Sequence, residues 1–168
     1  MTEALTAAAD ALVIFGISGD LARKMTFPAL YGLEAAGRLD CPIIGVAKDD
    51  WSAAHLVGSI RDALKVAGQR VEEKVFDRLA ARFTYLQGDF DDSDTYDELA
   101  RRLKGRPRPL FYLEILDAAV DTEQGGLTAK ATVMSEKPFN HDLPSAWVLN
   151  NGPHQVLSED QILRIDHF

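Results

Sequence analysis

Residues 11–22, Ala11-Leu12-Val13-Ile14-Phe15-Gly16-Ile17-Ser18-Gly19-Asp20-Leu21-Ala22, decide the fold. Five apolar residues run without interruption into Gly16, the pattern of a strand buried on both faces. Burial on both faces demands helices on either side of the sheet, which points to an α/β architecture with parallel strands. Glycines between a buried strand and a helix let the backbone turn tightly. They also let a pyrophosphate approach free amides at the positive end of the helix dipole. Ser18 adds a hydroxyl donor. The motif is G-x-x-G rather than the full G-x-G-x-x-G, so a plain glycine-containing turn stands beside dinucleotide binding as a reading. It is not a G-x-S-x-G nucleophile elbow, because Asp20 stands where the last glycine would be.

Outward from this stretch, apolar runs alternate with helix-period segments. Residues 20–37 are helical in pattern, and Pro28 predicts a short turn after Asp20, then a helix with the proline in its first turn. Gly37 is the expected stop. Ile43 to Ala47 reads as the second strand. Ser52 caps a helix whose buried face carries Leu56, Ile60, Leu64 and Ala67, and Val71, Val75 and Leu79 continue at helical spacing. Phe83 to Leu86 is short and β-prone. Tyr96, Leu99, Ala100 and Leu103 mark a helix with Asp89, Asp91, Asp92 and Asp94 on its N-terminal side and Arg101, Arg102 and Lys104 on the other, a polarity that matches the helix dipole. Leu110 to Ile115, Thr132 to Met134 and Gln161 to Ile165 read as further strands. Asp142 and Pro144 open a short helix that Asn150-Asn151-Gly152-Pro153 stops. The rhythm predicts a Rossmann-like, doubly wound, mostly parallel sheet of about six strands, in a single domain spanning residues 1–168.

Composition narrows the function. The formal net charge of −8 disfavours nucleic-acid backbones and anionic membranes as partners. Cys41 has no partner for a disulfide, and His55, His141, His154 and His167 lack metal-ligand spacing, so no metal is expected. The acidic start of the chain reads as neither signal peptide nor membrane span, which makes a cytoplasmic protein the expectation.

In a coenzyme-binding sheet the end of the second strand reads the ribose. An acidic residue there accepts a hydrogen bond from the 2′-hydroxyl of NAD, and a basic one accommodates the 2′-phosphate of NADP. That strand ends at Lys48, which points to NADP, with NAD as the alternative because Asp49 and Asp50 follow. A solvated surface lysine is the blander reading of the same residue.

Three further segments complete the pattern: Phe111-Tyr112-Leu113, Glu136-Lys137-Pro138-Phe139-Asn140-His141-Asp142, and Arg164-Ile165-Asp166-His167-Phe168. Together with the Gly16 loop, Pro28-Ala29-Leu30-Tyr31 and Ile43 to Lys48, they closely resemble the N-terminal part of the glucose-6-phosphate dehydrogenase family. The motifs fall in that family's order from about residue 12 onward. Lys48 replaces the usual arginine, Asn140 a glycine and Phe168 a tyrosine. The resemblance implies a Rossmann-like coenzyme domain and, for the family, hydride transfer from C1 of glucose 6-phosphate to NADP.

The resemblance also implies roles. Gly16, Ile17, Ser18, Gly19, Asp20, Leu21 and Ala22 would cradle the coenzyme pyrophosphate, and Lys48 would face the 2′-phosphate. Gly88 and Asp89 would lie near the coenzyme. Lys137 would stand between coenzyme and sugar, His167 would bind the sugar phosphate, and Asp166 would orient a catalytic histidine. Taken alone, these residues read as ordinary loop and strand-end positions.

Departures shape the expectation for this chain. The family's general base lies in a following domain, so the expectation is a coenzyme domain that is inactive by itself. The carboxylate after Phe168 would stand close to His167, the wrong sign for a sugar phosphate. Two prolines near the nicotinamide end are replaced in Glu114-Ile115-Leu116-Asp117. The alternatives are a non-catalytic regulatory paralogue, or one half of a split enzyme that meets glucose 6-phosphate only with a second chain or copy.

Overall fold

A computed structural model describes residues 8–113, 132–136 and 162–165. Among the described residues, six strands form one sheet in the order β3-β2-β1-β4-β5-β6. They are β1 (Ala11–Phe15), β2 (Ile43–Ala47), β3 (Phe83–Gln87), β4 (Pro109–Leu113), β5 (Thr132–Glu136) and β6 (Ile162–Ile165). Every neighbouring pair is parallel. This is the doubly wound Rossmann order, with β1 at the point where the strand sequence reverses.

Alternation along β1 and β2 divides the core between the two faces, because successive side chains point to opposite sides of a strand. Ile14, Ile43 and Phe83 pack on one face with Phe27, Leu30, Leu56, Ile60 and Leu79 of three helices, α1 (Phe27–Ala35), α2 (Ala53–Val66) and α3 (Glu73–Arg82). Val13, Phe15, Ile44 and Val46 pack on the other with Tyr96, Leu99 and Leu103 of and after α4 (Ser93–Arg102). Phe15 sits at the centre of this second cluster, with the Phe90, Tyr96 and Phe111 rings 5.7, 6.3 and 6.2 Å away.

Most local signals act as expected. The Ser52 hydroxyl accepts the His55 amide at 3.0 Å, capping α2. Gly37 closes α1, with the Gly37 and Arg38 amides donating back to Glu34 and Leu33. The Asp92 carboxylate caps α4 through the Asp94 amide.

Two expectations are corrected. The turn expected between Asp20 and the first helix is absent. Helix starts at Asp20 and passes through a π-helical turn, Ala22–Thr26, into α1. The Phe27 amide reaches back five residues to the Ala22 carbonyl, and this widened turn takes Pro28 into the first turn of α1 without ending the helix. On α2, Ala63 rather than Ala67 completes the buried face; Ala67 is the exposed C-terminal cap.

Two sets of ion pairs tie the three helices of one face. Arg78 and Arg82 of α3 donate to the two carboxylate oxygens of Glu34 on α1, at 3.0 and 2.6 Å. Glu34 is buried. Burial alone would raise its pKa, but the hydrogen bonds from Arg82 and Arg78 outweigh it and hold the carboxyl below the ordinary glutamate range. Arg61 of α2 pairs with Glu73 at the start of α3 through two bonds of 2.8 and 2.9 Å.

Candidate functional site

A parallel sheet places all its strand C-termini on one edge, and the strand register does so here: Phe15 lies beside Val46 and Leu113, and Val46 beside Leu86. The glycine loop leaves this edge at β1, the strand where the order reverses. Gly16 has φ 86°, a left-handed conformation that costs an L side chain about 1–2 kcal/mol. The turn is held from below, since the Gly16 amide donates to Val46 at 2.8 Å and the Gly19 amide to Gly16 at 2.9 Å. The Arg23 amide donates to the Gly19 carbonyl. The amides of Asp20, Leu21 and Ala22 lie ahead of it in the first turn, where helical N–H groups lack intrahelical acceptors.

The loop opens on a cleft of about 430 Å³. Gly16, Ser18 and Gly19 form one wall, Ala47, Lys48 and Asp49 a second, and Phe90 and Asp91 a third. The sequence reading thus brings together Gly16, Ser18, Gly19, Asp20, Leu21 and Lys48 at one cavity. Ile17 does not join them: its side chain is fully buried in the core beside Gly45. Ala22 is likewise buried. A larger groove, about 740 Å³, runs between Arg23, Lys24 and the outer side of α2, and shares Asp20 with the cleft.

The side chains around the cleft are paired. Lys48 Nζ is 3.0 Å from Asp89 Oδ1, and Ser18 Oγ donates to Asp49 Oδ2 at 2.5 Å. Lys24 pairs with Asp20 at 3.2 Å, and the Arg23 guanidinium lies over Trp51. The bond to Asp89 raises the Lys48 pKa. Asp89 is held low, first by the Asp91 amide donating to its Oδ1 at 3.0 Å and then by Lys48. Gly88 is required sterically, since a Cβ there would stand 2.4 Å from the Thr95 side chain.

Tyr85, Phe90 and Asp91 are not site candidates from the sequence, and Asp49 enters there only as a charge following Lys48. Tyr85 Oη donates to the Asp49 carbonyl at 2.6 Å and also lies 3.3 Å from the Ala47 carbonyl, fixing the strand end that carries Lys48. Burial, then Asp49 and Asp50, push its pKa up to about 12. The alternation of Phe83, Tyr85 and Gln87 along β3 was the available signal. Lys137, Asp166 and His167 lie outside the described residues; β5 and β6 end just before the first two.

A family profile described as glucose-6-phosphate dehydrogenase, NAD binding domain, matches residues 13–168. The chain belongs to this family. Glucose-6-phosphate 1-dehydrogenase 1 of Mycobacterium tuberculosis and that of Mycobacterium bovis are each 51% identical over 166 residues, covering 96% of this chain and 35% of theirs. The crystal structure of glucose-6-phosphate 1-dehydrogenase from Mycobacterium avium superposes with a TM-score of 0.86 at 48% identity, over 95% of this chain and 36% of that one. A glucose-6-phosphate dehydrogenase in complex with its substrate glucose 6-phosphate gives 0.82 at 31% identity, over 96% and 38%. This member of the glucose-6-phosphate dehydrogenase family therefore spans about a third of the length of its curated relatives. No helix among its described residues is long and apolar enough to cross a membrane.

Proposed function

We propose that these residues form the coenzyme-binding part of a glucose-6-phosphate dehydrogenase, as one domain over residues 1–168, and that they bind NADP at the cleft between the Gly16 loop and the end of β2. The observation that carries this is the Gly16 loop itself, which leaves the sheet at its reversal point with a backbone conformation suited to glycine and opens a helix beside Lys48. The fit is direct at the pyrophosphate end. Gly16 and Gly19 would let the anion approach closely, and the first-turn amides of Asp20, Leu21 and Ala22 would hold it, with the Ser18 hydroxyl a further donor once it turns from Asp49. Ile17 and Ala22 contribute backbone, and their side chains lock the loop to the core. Lys48 would face the 2′-phosphate, and Gly88 and Asp89 would line the adenosine side.

A nicotinamide coenzyme supplies the hydride acceptor when bound. The chain's own part is to bind and orient it. Family membership supports Lys137 between coenzyme and sugar, His167 on the sugar phosphate of glucose 6-phosphate, and Asp166 as the partner of a catalytic histidine. Self-association, or assembly with a second chain, belongs to the same reading.

Calorimetric titration of the chain with NADP tests it. Saturable binding with one coenzyme per chain is expected. Absence of heat or of coenzyme fluorescence change at millimolar NADP would refute it.

A further inference from the structure

We infer that Asp49 is a specificity-determining residue of the coenzyme cleft, one that favours a free ribose 2′-hydroxyl and opposes a 2′-phosphate, so that this chain discriminates weakly between NADP and NAD. The inference rests on the coenzyme reading above and goes beyond it by naming the residue that sets selectivity.

Asp49 lies two positions past the end of β2, and its Oδ2 accepts the Ser18 hydroxyl across the cleft at 2.5 Å. The carboxylate is thereby held against the glycine loop, on the wall of the cleft that Lys48 also forms. The Asp49 backbone is fixed independently, since its carbonyl accepts the Tyr85 hydroxyl at 2.6 Å. An acidic side chain at this end of the second strand is the hydrogen-bond acceptor suited to an unmodified ribose. A 2′-phosphate, near two negative charges at neutral pH, meets the same carboxylate with repulsion.

The opposing attraction is weakened by pairing. Among the described residues lining the cleft, Lys48 is the sole cation, and its ammonium is engaged by Asp89 at 3.0 Å. Arg23 and Lys24, the neighbouring cations, are turned to Trp51 and Asp20. The ribose end is therefore flanked by two carboxylates and one ammonium, whereas a strict NADP reader presents unpaired positive charge. Lysine also lacks the forked geometry with which arginine grips a phosphate.

The test is calorimetric titration of the full chain and of Asp49→Asn with NADP and with NAD at fixed ionic strength. The amide keeps an oxygen to accept the Ser18 hydroxyl and removes the charge. Asp49→Ser is the second variant, should the amide rearrange the loop. Both are expected to bind NADP about tenfold more tightly than the parent, with NAD affinity unchanged or weakened. The gain shrinks at high salt, as a charge effect on an exposed side chain must. A selectivity ratio within roughly twofold of the parent in both variants, or a gain indifferent to salt, overturns the role of Asp49 while leaving the coenzyme site intact. A parent chain that binds neither coenzyme overturns the site itself.

Discussion

Lys48 Nζ stands 3.0 Å from Asp89 Oδ1, joining the segment after β2 to the segment after β3 beside the cleft proposed for the coenzyme. Both side chains are about half exposed, so the pair adds little stability and leaves the ammonium available to a stronger anion. A phosphate would compete with the Asp89 carboxylate for Lys48. Replacing Lys48 by aspartate removes that attraction and adds a third carboxylate to the ribose end. Lys48→Asp is expected to weaken NADP by roughly tenfold or more while NAD binding stays close to the parent, so that NAD becomes the preferred coenzyme. Paired titrations measure it. Unchanged selectivity would remove Lys48 as a reader of the 2′ position.

Gly16 is the backbone hinge of the loop. At φ 86° an alanine is strained by about 1–2 kcal/mol, and the shift needed to relieve it would pull the Gly16 amide from Val46. Gly16→Ala is expected to lower the melting temperature by about 2–8 °C for a chain of this size. It is also expected to abolish measurable NADP binding, because the first-turn amides would lose their alignment. A variant that keeps parental affinity would show that the loop conformation is not what binds the coenzyme.

The extent to which the sequence was legible follows the range of each interaction. The bounds of β1 and β2 match the apolar runs because both faces of these strands are buried and a break closes each run, Gly16 in one case and Lys48 in the other. The start of β4 at Pro109 was hidden, since proline reads as a breaker. The strand start is secured by Asp10, whose amide donates to the Arg108 carbonyl and whose carboxylate accepts the Arg108 amide. The π-helical turn has no residue signature beyond Pro28. At the site, the loop and Lys48 were readable because each is local. The Lys48–Asp89 and Ser18–Asp49 pairs depend on which strands are neighbours. The first becomes visible only once β2 is laid beside β3 in the register that sets Ala47 against Gln87, the second only once β1 is laid beside β2 with Phe15 against Val46.

Tyr85 illustrates the same point with a measurable consequence. Its hydroxyl donates to the Asp49 carbonyl from a strand that two helices separate from it in the chain. Tyr85→Phe removes this tether and leaves the ring in place. The expected cost is about 1 kcal/mol of stability, with a several-fold loss of affinity for both coenzymes as the end of β2 loosens. The raised phenol pKa sets a second expectation. Its contribution is complete below about pH 10, the ordinary tyrosine value, and is lost as pH rises toward about 12. Urea midpoints of parent and variant should therefore converge across that alkaline window.

Glu34 gives the acid counterpart. Its buried carboxylate receives Arg82 at 2.6 Å and Arg78 at 3.0 Å, joining α1 to α3 on the face of the sheet that carries Ile14 and Phe27. Glu34→Gln cannot satisfy both guanidinium groups with charge-assisted bonds, and a loss of about 2 kcal/mol is expected at neutral pH. The sign of the pH dependence follows from the depressed folded-state pKa. The unfolded glutamate, near about 4.3, takes up its proton first, so the fork stabilises fully above that pH and fades as pH falls through the lower folded value. Urea unfolding at pH 7 and at stepwise lower pH separates the two proteins: the parent's advantage should be constant down to about pH 5 and shrink below it. An advantage that persists unchanged into strong acid would mean that Glu34 acts through packing rather than through its charge.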